Sequence, residues 1–177
     1  MARESAQRIE TPSAMDIYAE VATPGAPHKL LARMAGTWSM KGSCRMEPGG
    51  DLIEHTGISE QRMILDGRFL QQDFKGEMMG ISFTGIGFTG YDNHKGKYVS
   101  TWLDSFGTGI YNFEGTGSAD GRTITQTCSY DDPVRGPLTW RNVTSIVDDN
   151  TLEFRMYTTD SGGKEDEMAV FAYTRTA

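Results

Sequence analysis

GTWSMKGSCRME, residues 36–47, sets a tryptophan directly after a Gly-Thr pair and then alternates without a break. Trp38, Met40, Gly42, Cys44 and Met46 take one parity, while Thr37, Ser39, Lys41, Ser43, Arg45 and Glu47 take the other. Successive strand side chains point to opposite faces, so this stretch reads as a strand with an apolar stripe turned to an interior.

Upstream of Gly36 the period is helical. Ser13-Ala14-Met15-Asp16 has the S-x-x-D form of a helix start and predicts a short helix from Ser13 to about Val21, stopped by Pro24 and Gly25. Pro27 is placed for the first helical position of PHKLLARM, whose Leu30, Leu31 and Met34 share one face. Residues 1–12 are polar and aperiodic. The chain thus divides into an arm with a short helix, 1–26, and a single β-barrel domain, 27–177.

Downstream, turn signals recur at short intervals: Pro48-Gly49-Gly50, Asp66-Gly67, GEMMG at 76–80, Asp92 through Gly96, and Gly107-Thr108-Gly109. Asp120-Gly121, Asp131 through Pro137, Asp148 through Asn150, and Asp160 through Gly163 follow. These nine breaks define ten strands. No helical pattern separates them to build a parallel crossover, so the sheet is an antiparallel meander. Closure removes both exposed edges, and an even number of up-and-down strands lets the first pair antiparallel with the last. The expected fold is all-β, a ten-stranded antiparallel up-and-down β-barrel with one or two short N-terminal helices, wide enough to hold a cavity.

Alternation assigns the inside. Ile124, Gln126, Cys128 and Tyr130 oppose a row of threonines and Ser129; Tyr111 and Phe113 oppose Asn112 and Glu114. Leu152, Phe154 and Met156 form another inward stripe, as do Leu138, Trp140, Asn142, Thr144 and Ile146. Ala169, Phe171, Tyr173 and Arg175 make the last. In 98–104, Tyr98, Trp102 and Asp104 are taken as inward, whereas the strand within 52–65 has no clear phase. With Met40, Gln72 and Phe83, these residues make an interior rich in aromatics and methionine, with a few polar groups among them. That is the composition of a small-molecule pocket; the same residues also suit a packed core with buried water.

The bulk properties exclude several classes. A chain of 177 residues is most simply one domain, and no apolar run approaches the roughly 20 residues of a membrane helix. Glycine, at 21 of 177, exceeds the usual share of about 7% and is spread along the chain as turns require. A net charge of −7 opposes a phosphate backbone and argues against nucleic acid. MARESAQRIETPSAMD has no apolar core of a secretory signal, which implies a cytoplasmic protein. Cys44 and Cys128, its two cysteines, are too few for a disulfide scaffold and lie on well-separated strands, arguing against a disulfide or a shared metal.

Motifs of chemistry are sparse. Gly85-Ile86-Gly87-Phe88-Thr89-Gly90 satisfies G-x-G-x-x-G, but a turn follows it, not the helix that a dinucleotide fingerprint needs. Its glycines serve a bend or leave room beside a ligand. His28, His55 and His94 do not converge with cysteines or carboxylates, so neither a metal nor another cofactor is expected. Asp104 beside Trp102 is the candidate for chemistry, because an aromatic setting disfavours the charged carboxylate and suits it to general acid–base work.

The G-x-W of the first strand after a short helix, with Arg175 near the chain end, resembles the calycins: lipocalins, fatty-acid-binding proteins and nitrobindins. The resemblance implies that Trp38 plugs one end of the barrel beneath Arg175. HKLLARMAGTW, GRFLQQDFKGEMMG, GFTGYDNHKGKYVSTWLDS and the closing YTR are similar, across about residues 27–176, to a bacterial family called domain of unknown function 1579. That likeness implies the fold and no activity. Nitrobindin-like proteins ligate heme through a histidine of a late strand, and residues 100–177 contain none.

Three functions remain open. One is binding of a small, mainly apolar molecule within the barrel, and another is a cyclase, isomerase or hydrolase using Asp104 in the same cavity. The third is a protein-interaction or dimerisation module, favoured if Val99, Thr101 and Leu103 face outward beside Val143 and Val147.

Overall fold

The computed structural model describes residues 11–176, so residues 1–10 of the expected arm lie outside the described residues. Two helices, α1 (Ala14–Ala22) and α2 (Ala26–Met34), precede ten strands. The strands are β1 (Gly36–Cys44), β2 (Ile53–Ile64), β3 (Phe69–Met78), β4 (Ile81–Asp92), β5 (Lys97–Asp104), β6 (Tyr111–Gly117), β7 (Thr123–Asp132), β8 (Gly136–Asp148), β9 (Thr151–Thr159) and β10 (Glu165–Arg175). Each pairs antiparallel with its neighbours in sequence, and β1 pairs with β10 to close the barrel.

Closure is registered by Trp38 opposite Arg175, Met40 opposite Tyr173 and Cys44 opposite Ala169. The first strand turns the expected stripe inward: Trp38, Met40 and Cys44 are buried. Met46 departs from it. The strand ends at Cys44, and Met46 stands exposed in the following turn, where alternation no longer dictates a face. The unphased strand resolves as well, with His55, Ser59 and Gln61 buried and the intervening Glu54, Thr56, Ile58 and Glu60 exposed.

Both helices form where their signals place them. Ser13 Oγ accepts from the Asp16 backbone N–H at 3.2 Å, and the Asp16 carboxylate accepts from the Ser13 N–H at 2.9 Å, a reciprocal cap. α1 buries no side chain; its C-terminal end is tied down by Arg68, which donates to the Ala22 carbonyl, and by Asn93, which donates to those of Val21 and Thr23. α2 begins one residue earlier than Pro27 and uses His28, whose Nδ1 accepts from the Gly25 N–H at 2.9 Å.

α2 stoppers one end of the barrel. Leu30, Leu31 and Met34 pack with Trp38, Leu70, Tyr98, Ile124, Ile146 and Leu152 in one buried cluster. Trp38 is fully buried, and its indole N–H donates to the Met34 carbonyl at 2.9 Å. Arg175 lies 4.1 Å above the Trp38 ring and donates to three carbonyls: Asp149 at 2.8 Å, Ala35 at 2.6 Å and Arg33 at 2.8 Å. One guanidinium thus joins the last strand, the end of α2 and the β8–β9 turn.

Replacing Arg175 by Met keeps most of its apolar stem and removes the cation and its donors. We expect a loss of about 2–4 kcal/mol, combining the cation–π contact with several hydrogen bonds. A urea midpoint unchanged from wild type would show that this clasp is not what holds the ends together.

Candidate functional site

The barrel interior beyond the plug holds a cavity of about 320 Å³, at the small end of the roughly 300–1,000 Å³ typical of ligand pockets. It runs from Met34, Leu70 and Leu152 beneath the plug to Cys44, Met78 and Phe106 at the opposite end. Its walls are mostly apolar, and their shape depends on pairs of glycine and aromatic residues.

Gly85 and Gly87 of β4 face Trp102 of β5, and a Cβ at either position would press into the indole, at 3.1 Å from Cε3 for Gly87. The G-x-G of residues 85–87 thus makes room for a tryptophan lying flat on the strand. Cross-strand partners Gly57 and Gly76 do the same for Phe74, whose ring occupies the space their side chains would take. At the far end Phe106, from the β5–β6 loop, stacks on Phe83 with ring centres 4.8 Å apart.

Asp104 faces this interior, but its oxygens are engaged. Oδ2 accepts from the Trp102 indole N–H at 2.8 Å, and Oδ1 accepts from the Phe106 backbone N–H at 2.9 Å. The carboxylate fixes the indole over its glycines and anchors the loop that carries Phe106.

The polar groups of the wall fall into two sets. On β2 and β3, Gln61 and Gln72 both donate to Ser59 Oγ, at 3.2 and 3.0 Å. Tyr173 adjoins Gln72; burial pushes its phenol up to about 12, against a smaller opposing pull from the hydrogen bond with Gln72. The second set, on β7 and β8, is incomplete. Gln126 and Asn142 are directly paired residues, with Trp140 the next inward position along β8. The Ser100 hydroxyl donates to Gln126 Oε1 at 3.1 Å, across the intervening strand β6. Gln126 Nε2, Trp140 Nε1 and Asn142 Oδ1 are buried and have no protein partner.

His55 is a third feature. It is 6% exposed, lines the cavity, and has no protein partner at either ring nitrogen. Phe74, Phe83 and Phe171 surround it edge-on, with ring centres 5.3–5.7 Å away. Burial in this aromatic cage lowers its pKa, so the imidazole is neutral, with one donor and one acceptor nitrogen. The nearby Cys44 and Met78 sulfurs lie 3.5 Å apart, and burial pushes the Cys44 thiol up, away from a reactive thiolate.

Of the residues assigned inward from sequence, Met40, Gln72, Phe83, Trp102, Asp104 and Phe113 line the cavity. So do Gln126, Trp140, Asn142, Phe154, Met156, Phe171 and Tyr173. Tyr98 lies instead in the plug, against Tyr91. Tyr111 and Tyr130 pack on Trp140, with ring centres 4.7 and 4.5 Å away, outside the cavity lining. The Tyr130 hydroxyl donates to Asp132 at 2.9 Å, and burial followed by that bond pushes its phenol up to about 12. His55, Gln61 and Phe74 escaped the sequence reading. The Asp66-Gly67 turn carried the missing signal, since an inward Gln72 requires its hairpin partner Gln61 to face the same way. Among the described residues no group of three or more His, Cys, Asp or Glu side chains is arranged to hold a metal ion.

A closed antiparallel barrel of ten strands, plugged at one end by tryptophan, arginine and a short helix around an internal cavity, is a calycin-like barrel. The chain belongs to the DUF1579 family, described as a protein of unknown function, whose model matches residues 23–175. Among solved structures it is similar to the S-type phycobiliprotein lyase CPES from Guillardia theta, at 13% identity and TM-score 0.60. That match covers 94% of this chain and 99% of the lyase. It is also similar to the redesigned β-barrel mFAP1 bound to DFHBI, at 15% identity and TM-score 0.42, over 85% of this chain and 100% of that one. No curated protein matches the sequence. At these identities the structural likeness concerns the fold.

Burial is the main cause of the lowered pKa at both His55 and His28. The unfolded chain, with histidine near 6.5, therefore takes up protons at a pH where the native state does not. Their contribution to stability is complete above that value and lost as pH falls through it toward the folded pKa values. His55→Phe keeps an aromatic ring in the cage and removes one titration. Between about pH 7 and pH 5.5 its urea midpoint should fall less than that of wild type; an equal fall would reject the assignment.

Proposed function

We propose that this protein binds a small, mainly apolar molecule inside its barrel. The observation that carries the reading is the cavity of about 320 Å³, walled by Phe, Trp and Met side chains with polar groups turned into it. Aromatic rings set against glycines keep that space from being filled by the wall itself. The likeness to a phycobiliprotein lyase and to a barrel bound to DFHBI is compatible with this reading but carries none of it. Two buried free thiols accord with a reducing, cytoplasmic setting, and among the described residues no helix is long and apolar enough to cross a membrane.

Native mass spectrometry of protein purified gently from its own source should show a reproducible added mass that is lost on denaturation. The bare chain, combined with no uptake of apolar dyes, would overturn the proposal.

The enzyme reading centres on Asp104. Its hydrogen bonds to Trp102 and Phe106 support a positioning role over acid–base work. Asp104→Asn should keep the bound molecule and lose about 1–2 kcal/mol of stability. Loss of a turnover with ligand retention unchanged would instead favour catalysis.

Self-association is a second reading with its own observation. Ile86 and Phe88 of β4 are 40% and 36% exposed, beside the outward Val99 and Leu103 of β5. Val143 and Val147 stand apart from this stripe, with β6 and β7 between. A dimer burying the β4–β5 face would double the mass in light scattering, and Phe88→Lys would return it to monomer.

A further inference from the structure

We propose that the ligand is an uncharged planar molecule of a few fused rings. Its carbonyl oxygen lies at Trp140 Nε1, and an amide-like edge of C=O and N–H faces Asn142 and Gln126. The inference rests on reading the interior as a ligand site and specifies the chemistry that site accepts.

The wall of the cavity is asymmetric in its polar groups. Gln61 and Gln72 both donate to Ser59 Oγ. On the opposite side Gln126 Nε2, Trp140 Nε1 and Asn142 Oδ1 are buried without a protein partner. Buried polar groups are nearly always paired, and an unpaired one costs about 1–3 kcal/mol. Three on adjoining positions of β7 and β8, all lining one cavity, form a built polar edge.

The chemistry of that edge constrains its complement. An indole N–H donates and cannot accept, so the ligand needs an acceptor there. Ser100 engages the oxygen of the Gln126 amide and leaves its nitrogen, a donor, buried without a protein partner. Asn142, directly paired with Gln126, adds a second carboxamide. Two primary amides side by side are complementary to a group that donates and accepts along one line, as a lactam or imide does.

Charge and shape narrow the class further. The lining holds no Lys or Arg, burial disfavours the charged form of His55, and both Asp104 oxygens are already taken by Trp102 and Phe106, so the wall offers nothing to an anion. Trp102 lies flat against β4, and the Phe154 and Phe171 rings are within 7° of parallel. Such surfaces match a flat ring system. A cavity of about 320 Å³ limits it to a few rings. His55 lines the same cavity four strands away around the closed barrel and can meet a second polar group on the ligand.

The test uses isosteric probes titrated against the full chain by calorimetry: 2-quinolone, 1-methyl-2-quinolone, coumarin and naphthalene, with quinoline-2-carboxylate as the anion. We expect 2-quinolone to bind tightest, the two carbonyl compounds without N–H roughly tenfold weaker, and naphthalene weaker still. Trp140→Phe should weaken the three carbonyl probes about tenfold and leave naphthalene unchanged. Asn142→Leu, whose folding is checked by circular dichroism, should erase the advantage of 2-quinolone over its methyl derivative. Equal binding of 2-quinolone and naphthalene, or tighter binding of the carboxylate, would overturn this inference while leaving the interior a ligand site. Failure of every probe to bind would instead remove the reading of the interior on which it depends.

Discussion

The barrel depends on one contact across its seam. Trp38 lies near the start of the first strand and Arg175 ends the last, and the guanidinium lies 4.1 Å over the indole while it donates to three carbonyls. The planar cation stacks on the ring face and still directs its N–H groups outward in the ring plane, which a lysine ammonium could not do. Because those carbonyls belong to α2, its following residue and the β8–β9 turn, the same group that registers the seam also seats the plug.

A plugged barrel is not by itself hollow, since inward side chains of this size could meet at the centre. Here several wide side chains lie along the wall rather than across it. Trp102 covers Gly85 and Gly87, and Phe74 covers Gly57 and Gly76. Glycine in a strand costs conformational entropy and packing area. In these positions that cost is offset by the room it leaves for a neighbouring ring, and the centre remains open.

Polar satisfaction then distinguishes architecture from function within the cavity. Asp104 looks like a catalytic group in isolation, yet its bonds are internal and shape the wall. His55, by contrast, has no protein partner and is held only by ring edges. The groups that remain unpaired sit on β2, β7 and β8, and they, rather than the ionisable residues, define what the interior can recognise.

Much of this was legible in the amino-acid sequence, because strand alternation and turn chemistry are local. Nine turn signals divide the chain into the ten strands observed, and the stripes of β1 and β7 through β10 follow from period two. That the first strand meets the last was legible from their even number, and the seating of Arg175 over Trp38 followed from the resemblance to the calycins. Strand β2 resisted because Gly57, Ser59 and Gln61 on its inner face are no more apolar than Ile58 and Thr56 outside; its phase came only from pairing with β3. Tertiary structure alone decided which inward aromatics line the cavity and which, like Tyr98, Tyr111 and Tyr130, fill the plug or brace Trp140. It alone decided which polar atoms are left over. Parity fixes the face of a side chain, but partnership depends on distances between residues far apart in the chain, and those exist only once the barrel has closed.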